Sequence, residues 1–192
     1  MEKGYLFILI GAIFAATLRI PMPAELLYWW TRLTFWGFIF ISLGMRQIQG
    51  TEKELKYAQF FTMLTLITRI GMPWIPRLFP MLGSTLGLAV NLLLVFSPLA
   101  LFFWFFKSEY LWSPSSAKRM DWYIYSAIAL IYLSLNVVLM LPMTLLTMPS
   151  NVAMTLFNLL QFFNLLYNIV LIGLLVKLYL AAKNDTGLSR WN

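Results

Sequence analysis

Long apolar stretches alternate with short polar punctuation along the whole chain, and an alternation of period two is nowhere sustained, so the pattern predicts helices rather than strands. A helix that crosses a bilayer needs about 20 residues at 1.5 Å rise per residue. Six stretches of roughly that size are bounded by charges, prolines or caps: Gly4 to Ile20, Ala24 to Met45, Lys56 to Met72, Phe79 to Phe106, Met120 to Leu141 and Asn151 to Leu180. The start Met1-Glu2-Lys3-Gly4, with the apolar run from Tyr5 to Leu18, has the outline of a secretory signal peptide, yet it reads as the first membrane helix, retained. Helix signals stand at several starts. Thr51 with Glu54 makes a capping box before the third span, and Pro23 suits the first turn of the second, with Glu25 near its positive dipole end. Ser113-Pro114 or Ser116 can cap the fifth span and Ser150 the sixth.

The expected fold is therefore all-α: a polytopic membrane helix bundle of about six transmembrane helices, a single domain over 1–192. The helices form three hairpins that turn through Arg19-Ile20-Pro21-Met22-Pro23, Arg69-Ile70-Gly71-Met72-Pro73 and Met140-Leu141-Pro142-Met143. The first two turns agree at four of five positions, which raises an internal repeat without establishing one. Pro98 inside the fourth span predicts a kink or local break.

Composition strengthens this picture. Of the 192 residues 61% are apolar and 11% charged, and the mean hydropathy is +0.78, whereas a soluble domain carries roughly 25% charged residues. Cysteine and histidine are both absent, which removes disulfides, thiolate metal sites, the usual haem ligand and the commonest general base. No cofactor and no metal is expected. The seven acids are Glu2, Glu25, Glu52, Glu54, Glu109, Asp121 and Asp185; no pair is poised within a span, and no nucleotide-binding or hydrolase motif is present. The expectation is a protein that is not an enzyme and has no catalytic residues.

Charge sets the orientation. Lys3, Arg46, Lys53, Lys56, Lys107, Lys118, Arg119, Lys177, Lys183 and Arg190 fall at one side of such a bundle, and Arg19, Arg32, Arg69 and Arg77 at the other. Ten against four places both termini in the cytoplasm, in the plasma membrane. The net +7 is thus mostly a topology signal with some attraction to anionic membrane lipid, and nucleic acid is not an expected partner.

Two groups of residues are candidates for binding. An arginine at the centre of a span costs about 2.5–3.5 kcal/mol on the insertion scale, so the outer-side arginines need compensation. Glu25, Trp29 and Arg32 share a helix face at i, i+4, i+7. One reading is a basic pocket of Arg19, Arg32, Arg69 and Arg77 for a carboxylate or phosphate, with Glu25 as counter-ion; the other is a set of separate anchors to lipid headgroups beside Tyr28, Trp29 and Trp30. On the sixth span Asn151, Asn158, Gln161, Asn164 and Asn168 fall within an arc of about 140° at about 100° per residue. They line a polar interior or bond to neighbouring helices. Gln59, Thr62, Thr65 and Arg69 give the third span a shorter stripe that could face them.

Small residues mark close packing, in Gly11, Ala12, Ala15 and Ala16 on the first span and Gly83-Ser84-Thr85-Leu86-Gly87 on the fourth. Ala12, Ala16, Gly83 and Gly87 would receive either a helix of the same chain or a membrane protein partner. In length, helix count, termini-in topology and the small-residue face of its first helix, the chain is similar to the substrate-binding subunits of energy-coupling-factor transporters. The likeness is one of outline and carries no family residues across. Two functions follow as expectations: recognition or transport of an anionic or amphipathic solute or lipid through the outer-side basic pocket, or a structural or regulatory role as a subunit of a membrane complex.

Overall fold

The computed structural model describes the backbone of residues 2–16, 24–48, 53–71, 83–110, 116–145 and 149–184, and within these the side chains except at 2, 24–32, 70–71, 83–88, 91, 110, 116–118, 140–145, 150 and 184. The described residues form helices α1 (Glu2–Ala15), α2 (Ala24–Gln47), α3 (Lys53–Gly71), α4 (Gly83–Tyr110), α5 (Ser116–Leu145) and α6 (Ser150–Asn184). Stretches of α4, α5 and α6, Leu92–Glu109, Arg119–Leu139 and Asn151–Lys183, are long and apolar enough to cross a membrane; that of α1, Lys3–Ala15, is apolar but shorter.

Each helix packs chiefly on its neighbours in sequence, and α1 also packs on α6, so the six close into a ring. Cross-helix contacts run antiparallel throughout. Gly4 meets Gly44 and Gly11 meets Gly37 between α1 and α2. Arg69 lies over Phe38 while Thr62 reaches Met45 between α2 and α3, and Tyr57–Trp104 and Thr65–Ser97 link α3 to α4. Phe103 packs on Trp122 and Tyr125 bonds the Leu99 carbonyl between α4 and α5, and Asp121–Lys177 and Tyr132–Asn164 join α5 to α6. One end of the ring therefore collects the start of α1 and the close of α6, with Lys3, Arg46, Lys53, Lys56, Lys107, Arg119, Lys177 and Lys183.

At the α1–α2 interface the two backbones approach closely. A methyl added at Gly11 would sit 2.5 Å from the Gly37 carbonyl oxygen, and one at Gly44 would sit 2.6 Å from that of Gly4. None of the described glycines has positive φ, so these positions need room rather than conformational freedom. Spaced seven apart on each helix, Gly4/Gly11 and Gly37/Gly44 keep one seam facing the partner over two turns.

The core is apolar, with Ile8, Phe38, Phe105 and Phe106 fully buried, but it also takes in polar groups while large apolar ones lie outside. Thr34, Thr62, Thr65, Thr68, Ser97, Asn136, Asn164 and Asn168 are buried, while every helix exposes large hydrophobics, among them Ile13, Trp36, Ile67, Phe96, Leu130 and Phe162. The buried hydroxyls and amides are satisfied locally. Thr62, Thr65 and Thr68 donate to carbonyls one turn back, and Asn136 and Asn168 do the same to Tyr132 and Asn164.

Element boundaries depart from the sequence pattern in two informative places. The fourth span runs through Pro98 as one helix, without the local break, because losing a single N–H costs one bond and leaves the flanking turns intact. The fifth continues through Pro142 to Leu145, so the turn expected at Met140 to Met143 is helical; a proline near a helix end again removes one bond. The turn from Arg19 to Pro23, the Met72-Pro73 part of the second turn, and the cap residues Thr51 and Ser113 lie outside the described residues, while Arg69 to Gly71 close α3.

Candidate functional site

The ring surrounds a partly open cavity of about 190 Å³, with contributions from all six helices. Ala12, Ala15 and Ala16 of α1 and Phe38 of α2 form one wall, and α4 supplies Leu94, Val95, Pro98, Leu99 and Phe102. Polar groups come from three helices: Arg69 of α3, Tyr132 of α5, and Asn164, Tyr167 and Asn168 of α6. The small side chains of α1 matter here as much as at the glycine seam, because they leave the volume that larger residues would fill.

Arg69 is the last side chain described on α3, half-buried, and its guanidinium stands 4.9 Å from the centre of the Phe38 ring. That cation–π contact and further contacts hold the group against the wall. Opposite it, on the far side of the ring, Tyr132 donates to Asn164 Oδ1 at 3.0 Å, and Asn168 Nδ2 bonds the same oxygen at 3.2 Å and the Asn164 carbonyl at 2.8 Å. With Oδ1 of Asn164 accepting twice, its amide is locked in one orientation. The rings of Tyr132 and Tyr167 stack 5.1 Å apart at 9°, and the hydroxyls of Tyr167 and Tyr125 are 2.9 Å apart. Since Tyr125 donates to the Leu99 carbonyl at 3.1 Å, Tyr167 is the donor in that pair. Beside them Pro98 has no N–H to offer the Leu94 carbonyl one turn back, and both residues line the cavity.

The arrangement is suited to binding. It offers a cation, fixed amides, a phenol and aromatic faces in a volume below the roughly 300–1,000 Å³ of pockets for drug-sized ligands. No group of three or more potential metal ligands of the His, Cys, Asp and Glu types occurs among the described residues.

Of the residues singled out in the sequence, Arg69, Asn164 and Asn168 line one cavity, with Ala12 and Ala16 buried in its wall within the chain's own bundle. The third and sixth helices lie opposite one another across the cavity, and each packs chiefly on other neighbours. Asn158 is exposed, as is Asn151, and Gln161 is half-buried with an Nε2 that has no hydrogen-bond partner among the described residues. The amide stripe thus divides along its length. Asn164 and Asn168 are buried in the ring, and Asn151 and Asn158 face outward. Arg19 and Arg77 lie outside the described residues, as do the side chains of Glu25, Trp29, Arg32, Gly83 and Gly87. Phe38, Tyr132 and Tyr167 were not singled out, because an aromatic in an apolar run reads as packing; their signal is the match of Tyr132 on α5 to Asn164 on α6 at one depth of an antiparallel pair.

No family model, curated protein or solved structure matches the chain.

Proposed function

We propose that this chain is a non-enzymatic polytopic membrane protein whose six helices all span the bilayer, with both termini cytoplasmic, and whose central cavity recognises a small solute bearing a carboxylate or phosphate for transfer across the plasma membrane. The observation that carries this reading is the convergence of Arg69, Tyr132, Asn164 and Asn168 on one cavity walled by all six helices. Large exposed hydrophobics on α2 and α3 as well as on the longer helices support six spans, since a soluble bundle would place charges there. A guanidinium and oriented amides favour an oxyanion, which would accept charge-assisted bonds from Arg69.

Thermal unfolding of the detergent-purified chain against a panel of small carboxylates and phosphates tests the proposal. A ligand present at about 100 times its dissociation constant should stabilise the native state by about 2.7 kcal/mol. Arg69→Gln should abolish that gain while leaving the unliganded protein folded. Stabilisation that persists in Arg69→Gln, or a full panel without effect, overturns the cavity reading.

A second reading, a subunit of a membrane complex, draws on the upper part of α6, where Asn158 is exposed among Met154, Phe157 and Phe162. An amide facing hydrocarbon favours a protein partner. Gentle extraction and native mass spectrometry would show a second polypeptide if this reading holds, and the chain alone if it does not.

A further inference from the structure

A second, open cavity of about 360 Å³ lies between α2 and α3 near the end that carries the chain's start and close, lined by Ser42, Arg46, Lys56, Gln59, Phe60 and Met63. Its chemistry is unlike that of the central cavity. Arg46 and Lys56 are both exposed, and neither has an ion-pair partner among the described residues. Two other cations at this end are engaged elsewhere: Lys177 pairs with Asp121, and Lys107 stands over the Trp104 ring at 4.6 Å. Gln59 uses one amide N–H toward the Met45 carbonyl at 3.5 Å and keeps a second, and Ser42 adds a hydroxyl. The polar lining is therefore rich in donors.

Directly beyond the cations the same face turns apolar. Lys56, Phe60, Met63 and Ile67 follow i, i+4, i+7 and i+11 spacing along α3, and the last three are exposed at 60%, 41% and 66%. A cationic, donor-rich mouth that continues into an exposed apolar track has the chemistry of a phospholipid, a phosphate diester joined to acyl chains. We propose that the α2–α3 groove is a specific site for an anionic phospholipid, with the phosphate between Arg46 and Lys56 and an acyl chain along Phe60, Met63 and Ile67. Basic recesses between membrane helices bind such headgroups through charge and hydrogen bonds together. The proposal shares with the proposed function the placement of α2 and α3 in a bilayer, and nothing of the central cavity.

Native mass spectrometry of the full chain in detergent tests it, with phosphatidylglycerol and phosphatidylcholine of identical acyl chains as probes. Phosphatidylglycerol should be retained at one per chain under activation that strips phosphatidylcholine. Arg46→Gln and Lys56→Gln should each weaken that hold roughly fivefold, and both together about twenty-five-fold. Arg119→Gln with Lys183→Gln, exposed cations of the same end outside the groove, should change it less than twofold. All four positions are exposed, and an unchanged melting temperature checks that the variants fold. Equal retention of the two lipids, or equal losses in the groove and control pairs, overturns the headgroup site while leaving the bilayer placement standing. Full competition by water-soluble glycerol phosphate replaces the lipid with a free anion and overturns the proposal too. Loss of both lipids overturns the site as well, and the bilayer placement is then tested by cysteine labelling alone.

Discussion

Substituting Gly37 by alanine adds one methyl to a surface that has no space for it. The new carbon would lie 2.6 Å from both the Ala15 nitrogen and the Gly11 carbonyl oxygen, and 3.0 Å from the Phe14 carbonyl carbon. All three are backbone atoms, so no rotamer change relieves the clash. Comfortable contact begins near 3.5 Å, which requires α1 and α2 to separate by about 0.9 Å. The buried side chains on either side of the seam, Ile8, Phe38 and Ile41, would lose contact together. Overpacking of this kind costs about 1–3 kcal/mol, offset by up to about 1 kcal/mol because alanine favours the helix more than glycine does. A net loss of about 1–2 kcal/mol is expected for Gly37→Ala and likewise for Gly44→Ala. Gly173 supplies the contrast: it is a helical glycine on an exposed face with nothing within 4 Å of an added methyl, and Gly173→Ala should be neutral or stabilising by up to about 1 kcal/mol. Unfolding in mixed micelles with rising sodium dodecyl sulfate, followed by tryptophan fluorescence, resolves differences of this size. If Gly37→Ala and Gly173→Ala unfold at the same midpoint, the seam is not close-packed and the argument from glycine spacing fails.

Three further outcomes can be measured. Asp121 is buried whereas the Lys177 side chain is 56% exposed, so Lys177→Met should cost about 1–2 kcal/mol by stranding the carboxylate, and adding Asp121→Asn should restore part of it; equal losses in single and double variants would show that the pair does not couple. Tyr125→Phe leaves the Tyr167 hydroxyl without its acceptor and should cost about 1–3 kcal/mol, more than Tyr167→Phe at about 0.6 kcal/mol, and the reverse order in the same unfolding assay would refute the donor direction. Single cysteines in this cysteine-free chain report orientation: Trp74→Cys should react with an impermeant reagent added to intact cells and Asn192→Cys should not.

The six described helices and their order were legible in the sequence because long apolar stretches need no partner to be recognised. The depth of each residue was not. A helical arc places Asn158 and Asn168 on one face, yet says nothing of which neighbours cover each position, and Asn158 is exposed where Asn168 is buried. The proline signals were coarser: Pro98 read as a kink or local break and Pro142 as a turn, and the helix runs on through both, since inside a bundle one missing hydrogen bond does not outweigh the packing of the turns around it. The glycine seam could have been found, since the seven-residue spacing of Gly4/Gly11 recurs in Gly37/Gly44. The facing of Arg69 and Asn164 was legible as two polar stripes on the third and sixth spans, whereas the place of Tyr132 between them was not, because it depends on how α5 closes the ring.

That closure has a consequence for biosynthesis. The glycine seam joins helices adjacent in sequence, so α1 and α2 can dock as soon as both have left the ribosome, whereas the contact between α1 and α6 joins the first element made to the last. Until α6 arrives, Arg69 and Tyr132 line an open trough. The central cavity is thus the final part of the molecule to come into being, and a chain that stalls before residue 150 holds the walls of a vessel that has no interior.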